Sequence, residues 1–498
     1  MAKSTVLEEL DFFVGGERRP ARNGDRFETV NPTTGKPWAR VAAASSDDVD
    51  ACVRRAREAF DAPAWRSLPA SERGLLLFRL ADAIQEDSER IGSLETRDNG
   101  KLFKEMLVQL QLVPKWIRYF AGMADKVEGT TIPLDRQSVL NYTLPEPLGV
   151  VAIVTPWNSP VFLTMMAAAP ALAAGNTVVV KPSEVTSASM LAVAELADTV
   201  GFPPGAFNVI TGLGDTGRAL VEHPLVDKIS LTGGVEAGRA VGKAAAERFA
   251  PVTLELGGKS ANIVFGDANL DAAESGVLAG IFAAAGQTCV AGSRVFIHES
   301  VYDELTERLI ARAGNIRIGD PMDPQTQMGP IATHAQLEKV SGFVDRARAE
   351  GGEIVVGGRA AEVPGHESGF FWQPTIVANA GPDSYLAQNE VFGPVLALFP
   401  FSSEDEVVRA ANNTRYGLAA GLWTRDVSRA HRVAGRLEAG TVWVNMYRAM
   451  APQSPFGGYK ESGVGRQNGI DAIREYVQTK SVWVELSDEV QDPFVLRA

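Results

Sequence analysis

A thiol, a carboxylate and a side-chain amide stand at three points of this 498-residue chain where a strand or helix gives way to a loop. Cys289 lies in AAAGQTCVAGSR, among small residues between Gly286 and Gly292 at the end of an apolar helical run. A thiolate is a strong nucleophile near neutral pH, so this cysteine is either a reactive centre or an inert core residue, the commoner fate of a free thiol. Glu255, in PVTLELGGKS, falls on the strand face opposite Leu254 and Leu256 and precedes two glycines. On a solvated face it would be an ordinary carboxylate; in a cleft, partial burial would raise its pKa toward that of a general base. Asn158 ends TPWN after the apolar run VVAIV. Its amide either closes an Asx turn before Pro160 or stabilises negative charge developing on an oxygen.

Histidine and metal chemistry find little support. The five histidines, His223, His298, His334, His366 and His431, are scattered, and none lies in a loop comparable to that of Cys289. No HExxH occurs and the cysteines number two, so no metal-ligand set is expected. Glycine-rich turns instead suggest a nucleotide. GLGDTG, residues 212–217, follows FNVI and matches the three-glycine dinucleotide pattern, although a tight left-handed turn explains it equally. In ISLTGGVEAGRA, Gly233 and Gly234 stand between a strand and a helix whose first N–H groups would suit an anion. GGKS at 257–260 resembles the end of a phosphate-binding loop, but Thr253 replaces the leading glycine, so triphosphate chemistry is not supported.

These groups need a scaffold, and the chain supplies an α/β one. From Val150 onward VVAIV, TVVVK, FNVI, KISL and VTLEL are each followed by a turn or helix signal, which implies a parallel sheet with ligands at the strands' carboxyl ends. The rhythm restarts at Asn262 and runs to about residue 460, giving a second α/β unit. Residues 126–146 and the late run SVWVEL fit neither unit and suggest a projecting sheet. The first 125 residues read as a hairpin followed by helices. Ser46 is the expected cap of a helix that buries Val49, Cys52, Val53, Ala56 and Phe60 on one face. A second helix after Ser71 aligns Leu77, Leu80, Ile84 and Ile91. Between Pro147 and Val180, 34 residues without a charge are long enough for a membrane span. Pro156, Trp157, Asn158 and Pro160 interrupt them, so they parse as strand, polar loop, Ala-rich helix and strand.

Composition narrows the function classes. Lys and Arg total 48 against 61 Asp and Glu, and the net charge of −13 disfavours nucleic acid or an anionic membrane as partner. Glu8, Glu9 and Asp11 occupy positions where a secretory signal would be apolar. With two cysteines there is no disulfide scaffold, and a cytoplasmic setting is expected.

Taken together, NPTTGK, TPWN, KPSE, ISLTGG, LELGGKS, GQTCVAGSR, EVFGPV and SPFGGYKESGVGR resemble, in order and over nearly the whole length, the NAD(P)-dependent aldehyde dehydrogenase superfamily. The resemblance implies a Rossmann-type cofactor domain at 1–125 and 147–257, an α/β catalytic domain at 258–460, and a small bridging β-sheet for oligomerisation at 126–146 and 476–490. It implies Cys289 as nucleophile, Glu255 as general base, and Asn158 with the Cys289 N–H as oxyanion hole. Lys181 and Glu184 would hold the adenosine ribose, Gly233 and Gly234 would border the pyrophosphate, and Glu390 and Phe392 would hold the nicotinamide end. Thr155, Pro156, Trp157, Ser183, Gly214, Thr232 and Leu256 complete the implied cofactor site. Ser159, Phe162, Met166, Tyr447, Arg448, Met450 and Phe456 form the implied substrate pocket.

The implied reaction oxidises an aldehyde to a carboxylic acid through a Cys289 thioester. Transfer of the acyl group to coenzyme A and a non-enzymatic NAD-binding protein are the alternatives. Glu255 favours hydrolysis, and Glu184 favours NAD over NADP because a carboxylate on the ribose repels a 2′-phosphate. A homodimer or homotetramer is implied. Gly234, Gln467 and Ser159 depart from the residues commonest in relatives, which makes Glu255 the expected lone base. Arg448, in NMYRAMAPQSPF, is expected to steer aldehydes with a distal anionic or polar group. The tail SDEVQDPFVLRA is expected to dock on a neighbouring subunit through Phe494 and Leu496.

Overall fold

The computed structural model describes residues 7–490 and Phe494. The first six residues of the chain and Leu496 lie outside the described residues.

The uncharged stretch after Pro147 folds as its punctuation requires. Strand Val150–Val154, helix Pro160–Ala173 and strand Thr177–Lys181 follow one another, and every residue of the helix is buried. Among the described residues no helix is long and apolar enough to cross a membrane. Strands Phe207–Val209, Lys228–Thr232 and Val252–Glu255 complete five parallel strands of an eight-stranded sheet. In space Lys228–Thr232 lies beside Val150–Val154, on the side away from Thr177–Lys181. The strand order therefore reverses between these two neighbours, which is where such sheets open a crevice for ligands. Antiparallel strands cover both edges: Phe12–Val14 and Glu17–Arg19 on one side, Gly463–Val464 on the other.

A second sheet of seven strands spans 261–444, parallel except for the edge pair Glu353–Val356 and Thr375–Ala378. The third, antiparallel sheet pairs Val477–Glu485 with Val139–Pro147 and adds Thr131–Ile132. Leu140, Leu144, Trp483 and Val484 on it are exposed.

Two local readings are corrected. Ser45, not Ser46, caps helix Ser46–Asp61: its hydroxyl accepts from the Asp48 N–H at 3.3 Å, and the Asp48 carboxylate accepts from the Ser45 N–H at 3.0 Å. Asp48 lies three positions after Ser45, the spacing a reciprocal cap requires. Ile91 belongs to helix Ser88–Asn99, because the preceding helix ends at Glu86; both helices bury their apolar faces in the same core. Ser45→Ala should cost about 1 kcal/mol and lower the melting temperature, whereas Ser46→Ala should have little effect. Thermal denaturation of the two variants distinguishes the caps, and equal shifts would contradict the assignment.

Candidate active site

The two large sheets contribute opposite ends to one cleft. From the first come the residues that follow its strands: Pro156 to Asn158 after Val150–Val154, Gly233 and Gly234 after Lys228–Thr232, and Leu256 and Gly257 after Val252–Glu255. From the second come loops that precede its strands, Cys289 before Arg294–His298 and Glu390 before Val395–Phe401.

Cys289 is half-buried where two cavities meet. The smaller, of about 180 Å³, is lined by Pro156, Trp157, Thr232, Gly233, Gly234, Leu256, Glu390 and Phe392, together with Glu255 and Asn158. The larger, of about 540 Å³, is lined by Ser159, Phe162, Arg448, Met450 and Phe456, together with Asn158 and Cys289. The loop holding the thiol is pinned by Gln287, whose amide oxygen accepts from the Ala332 N–H at 2.9 Å. Asn158 is buried, and its Nδ2 donates to the Gln287 carbonyl at 3.2 Å, which leaves its second N–H for a ligand oxygen.

Burial dominates the electrostatics. Desolvation pushes the Cys289 thiol up to about 12, helped by the neighbouring carboxylates of Glu390 and Glu255. Glu255 is buried with no hydrogen-bond partner on either oxygen among the described residues, and burial raises it well above the carboxylate range against the opposing charge of Arg466. Glu390 is raised by burial too, partly offset by the Gly258 N–H, which donates to it at 3.0 Å.

The remaining implied cofactor residues stand beside the small cavity rather than in its wall. The buried Lys181 ends its strand and donates to the Pro182 carbonyl at 3.0 Å, with the half-exposed Glu184 carboxylate 3.9 Å away. Ser183 donates to Glu184 at 3.4 Å. Thr155 is buried and donates its N–H to the Lys181 carbonyl at 3.2 Å. Gly214 opens helix Gly214–Glu222, in which Gly217 lies against the Lys181 stem. GLGDTG thus borders the lysine and not the cavity.

This arrangement fits a dinucleotide on the structure's own terms. A buried ammonium with spare donors lies at one strand end, a Gly-Gly turn opens helix Val235–Glu247, and the cavity runs from that turn to the thiol.

Two implied pocket residues lie elsewhere. Met166 is fully buried in helix Pro160–Ala173 and does not line the larger cavity. Tyr447 is turned beneath the Cys289 loop, where its hydroxyl donates to the Val290 carbonyl at 3.0 Å and its ring packs against Trp443. Both lie one layer behind the wall, a difference of helical phase and loop direction. The sequence reading missed Lys101, Glu105, Gln109 and Trp116 of the larger cavity, and Gln336 and Lys339 of the smaller. Gln336 donates to the Val391 and Phe392 carbonyls at 2.8 and 2.9 Å and so holds the Phe392 loop. Glu105 and Gln109, four residues apart on one face of an amphipathic helix, were the available signal; Gln336 and Lys339 had none.

The raised thiol gives a direct prediction. In cofactor-free protein, alkylation of Cys289 by a neutral reagent should accelerate about tenfold per unit from about pH 7 to 10, following the thiolate fraction. Cys52, fully buried and also raised by desolvation, should remain unmodified. Mass spectrometry of quenched time points checks this, and a rate that levels off below about pH 8 would contradict the high thiol value.

Comparison with known proteins agrees with the geometry. Residues 19–482 match the model of the aldehyde dehydrogenase family. The chain is 44% identical to (Z)-2-((N-methylformamido)methylene)-5-hydroxybutyrolactone dehydrogenase of Acinetobacter baylyi, over 99% of this chain and 100% of that protein. PnpE of Pseudomonas sp., solved with nicotinamide adenine dinucleotide, superposes with a TM-score of 0.95 at 44% identity, covering 97% of this chain and 99% of that one. The NAD+ complex of an aldehyde dehydrogenase from Bacillus cereus superposes with a TM-score of 0.94 at 41% identity, covering 96% and 97%.

Proposed function

The chain belongs to the aldehyde dehydrogenase family and is an oxidoreductase acting on aldehydes, and from that premise we propose that Cys289, Asn158 and Glu255 oxidise an aldehyde to its carboxylic acid. The observation that carries this reading is that thiol and amide line both cavities where they meet, while the carboxyl, without a hydrogen-bond partner among the described residues, lines the smaller one beside them.

NAD bound in the smaller cavity would supply the hydride acceptor. The Cys289 thiol releases its proton to solvent, and Sγ adds to the aldehyde carbon that enters from the larger cavity. The resulting oxyanion is stabilised by the free Asn158 N–H and the Cys289 backbone N–H. Loss of hydride from that carbon leaves a thioester on Sγ. Glu255, whose raised pKa suits it to accept a proton near neutral pH, then activates water to release the acid and restore the thiol. Glu390 and Phe392 would orient the nicotinamide end. Trp157 supports Phe392 edge-on, with ring centroids 5.2 Å apart.

Glu184 beside Lys181 supports NAD over NADP, since a second anion at the ribose would face the carboxylate. Two unpaired thiols support a reducing cytoplasm. The ranges 1–125 with 147–257, and 258–460, correspond closely to the first and second sheets and support their reading as cofactor and catalytic domains. The third sheet supports subunit association, because it presents Trp483 and Val484 on a nine-residue strand. Light scattering at micromolar concentration should show a dimer or tetramer, and a monomer would refute the association.

Glu255→Gln separates the two half-reactions. It should retain a burst of about one NADH per active site while steady-state turnover falls on the order of 100-fold or more, and the acid limb of kcat should vanish with it. In the native enzyme kcat falls as pH drops and the raised Glu255 takes up its proton. Stopped-flow absorbance at 340 nm with NAD checks both. Native turnover in the variant would remove Glu255 from the mechanism, and turnover that requires coenzyme A would favour acyl transfer over hydrolysis.

A further inference from the structure

The larger cavity carries more charge than an unsubstituted aldehyde needs. Helix Phe103–Ala121 presents Glu105, Gln109, Leu112 and Trp116 to it, at spacings of four, three and four residues that form one helical stripe. Around Trp116 the wall is apolar, with Phe162, Met450 and Phe456. Toward Glu105 its character changes. Lys101 is only 4% exposed, and its ammonium donates to the Ser159 hydroxyl at 3.0 Å. Gln109 Nε2 donates to the same oxygen at 3.1 Å, and Ser159 donates onward to the Asn158 carbonyl at 2.7 Å.

This cluster is incomplete. Lys101 has three N–H donors and one recorded hydrogen bond, and among the described residues it forms no ion pair. Arg448, at the same cavity, donates to the Ala279 carbonyl at 3.1 Å and likewise has no carboxylate partner among the described residues. Gln109 Oε1 and Glu105 Oε2 are buried without partners among the described residues. Glu105 balances one of the two cations, and Lys104 adds a third positive group to the wall. Glu95, the other acid acting on Lys101, lies in the neighbouring helix, accepts from the Val161 N–H at 3.0 Å and is raised by burial to about 7. Desolvation lowers Lys101 to about 8, so its charge is held at a solvation cost that a bound anion would offset.

We propose that Lys101, supported by Gln109, Ser159 and Arg448, determines specificity by binding a carboxylate on the substrate, so that the enzyme's preferred aldehydes are short acids carrying the aldehyde at the other end. The proposal rests on the reading of Cys289 as nucleophile and adds the identity of the tail. Ser159 adjoins Asn158 in the chain, and both line the larger cavity together with Lys101 and Cys289, which suits a short substrate.

The test compares succinic and glutaric semialdehydes with their methyl esters, NADH being read at 340 nm. In the native enzyme kcat/KM should favour the acids about tenfold or more, mainly through KM, as a charge-assisted contact in a dry site would. Lys101→Met should reduce that ratio about tenfold, Lys101→Arg should restore part of it, and Arg448→Ala should reduce it less. Because the ratio is taken within one enzyme, losses common to both substrates cancel. A native ratio near one, or a ratio unchanged in Lys101→Met, overturns the proposal, and the native measurement stands even where the variant does not fold. A second readout does not need turnover: alkylation of Cys289 by a short bromoacid should outpace its amide in the native protein and lose that advantage in Lys101→Met. If neither aldehyde is oxidised but the alkylation preference holds, the anion contact stands and the reaction assignment fails. Equal alkylation rates in the native protein count against the contact.

Discussion

The site depends on a backbone approach that a side chain would block. At Gly258 a Cβ would lie 2.6 Å from the Cys289 carbonyl oxygen, and at Gly257 a Cβ would lie 2.3 Å from the Glu390 carboxylate. These two glycines end the strand that carries Glu255, so the carboxyl, the thiol loop and the Glu390 loop can converge only because the chain is bare there. Ser462 fixes the convergence from a third direction. Its hydroxyl donates to the Gly257 carbonyl at 2.7 Å and accepts from the Gly417 N–H at 2.9 Å, while its carbonyl accepts from the Leu256 N–H at 2.9 Å. One residue thereby joins the edge strand Gly463–Val464 that follows it, the Glu255 turn and the short strand Tyr416–Gly417.

Burial follows from that convergence, and it shifts the thiol, the carboxyl and the nearby ammonium in the same direction. The thiol and the carboxyl are raised and Lys101 is lowered, each toward its neutral form. Isolated charges are expensive in such a site, so each waits on a counter-group or a proton-transfer partner. Among the described residues Glu255 has no donor on either oxygen, which would be a defect in a purely structural carboxylate. In a base it leaves both oxygens available to water.

Much of this was legible in the chain because short-range rules govern it. The uncharged stretch from Pro147 to Val180 parsed correctly since its prolines and the Gly175-Asn176 pair act locally, and the five strands after Val150 follow from apolar runs between turns. Ser45 and Ser46 were indistinguishable until the reciprocal bond to Asp48 chose between them. The wall of the larger cavity was less legible. Helix Phe103–Ala121 presents one stripe to the core, with Leu110, Val113 and Ile117, and an adjoining stripe to the cavity. Only packing against helix Pro160–Ala173 and the 448–456 loop makes that second stripe a wall. Tyr447 shows the converse: adjacent to Arg448 in the chain, it points beneath the thiol loop because its neighbour adopts a left-handed backbone, φ 63°, and the chain turns between them.

The opposed use of the two sheets explains how a cysteine from a loop entering a strand meets Asn158, from beyond a strand's carboxyl end, at the junction. The first sheet offers its carboxyl ends and the turn before a helix, a geometry suited to anions and sugars. The second offers the loops that enter its strands, and Cys289 follows a left-handed kink at Ala284 and Ala285 that ends the apolar helix. That kink is held in part by Glu105, whose carboxylate accepts from the Ala284 N–H at 3.2 Å. The helix that walls the larger cavity therefore also braces the loop carrying Cys289, and Glu105 belongs to both the wall and the brace.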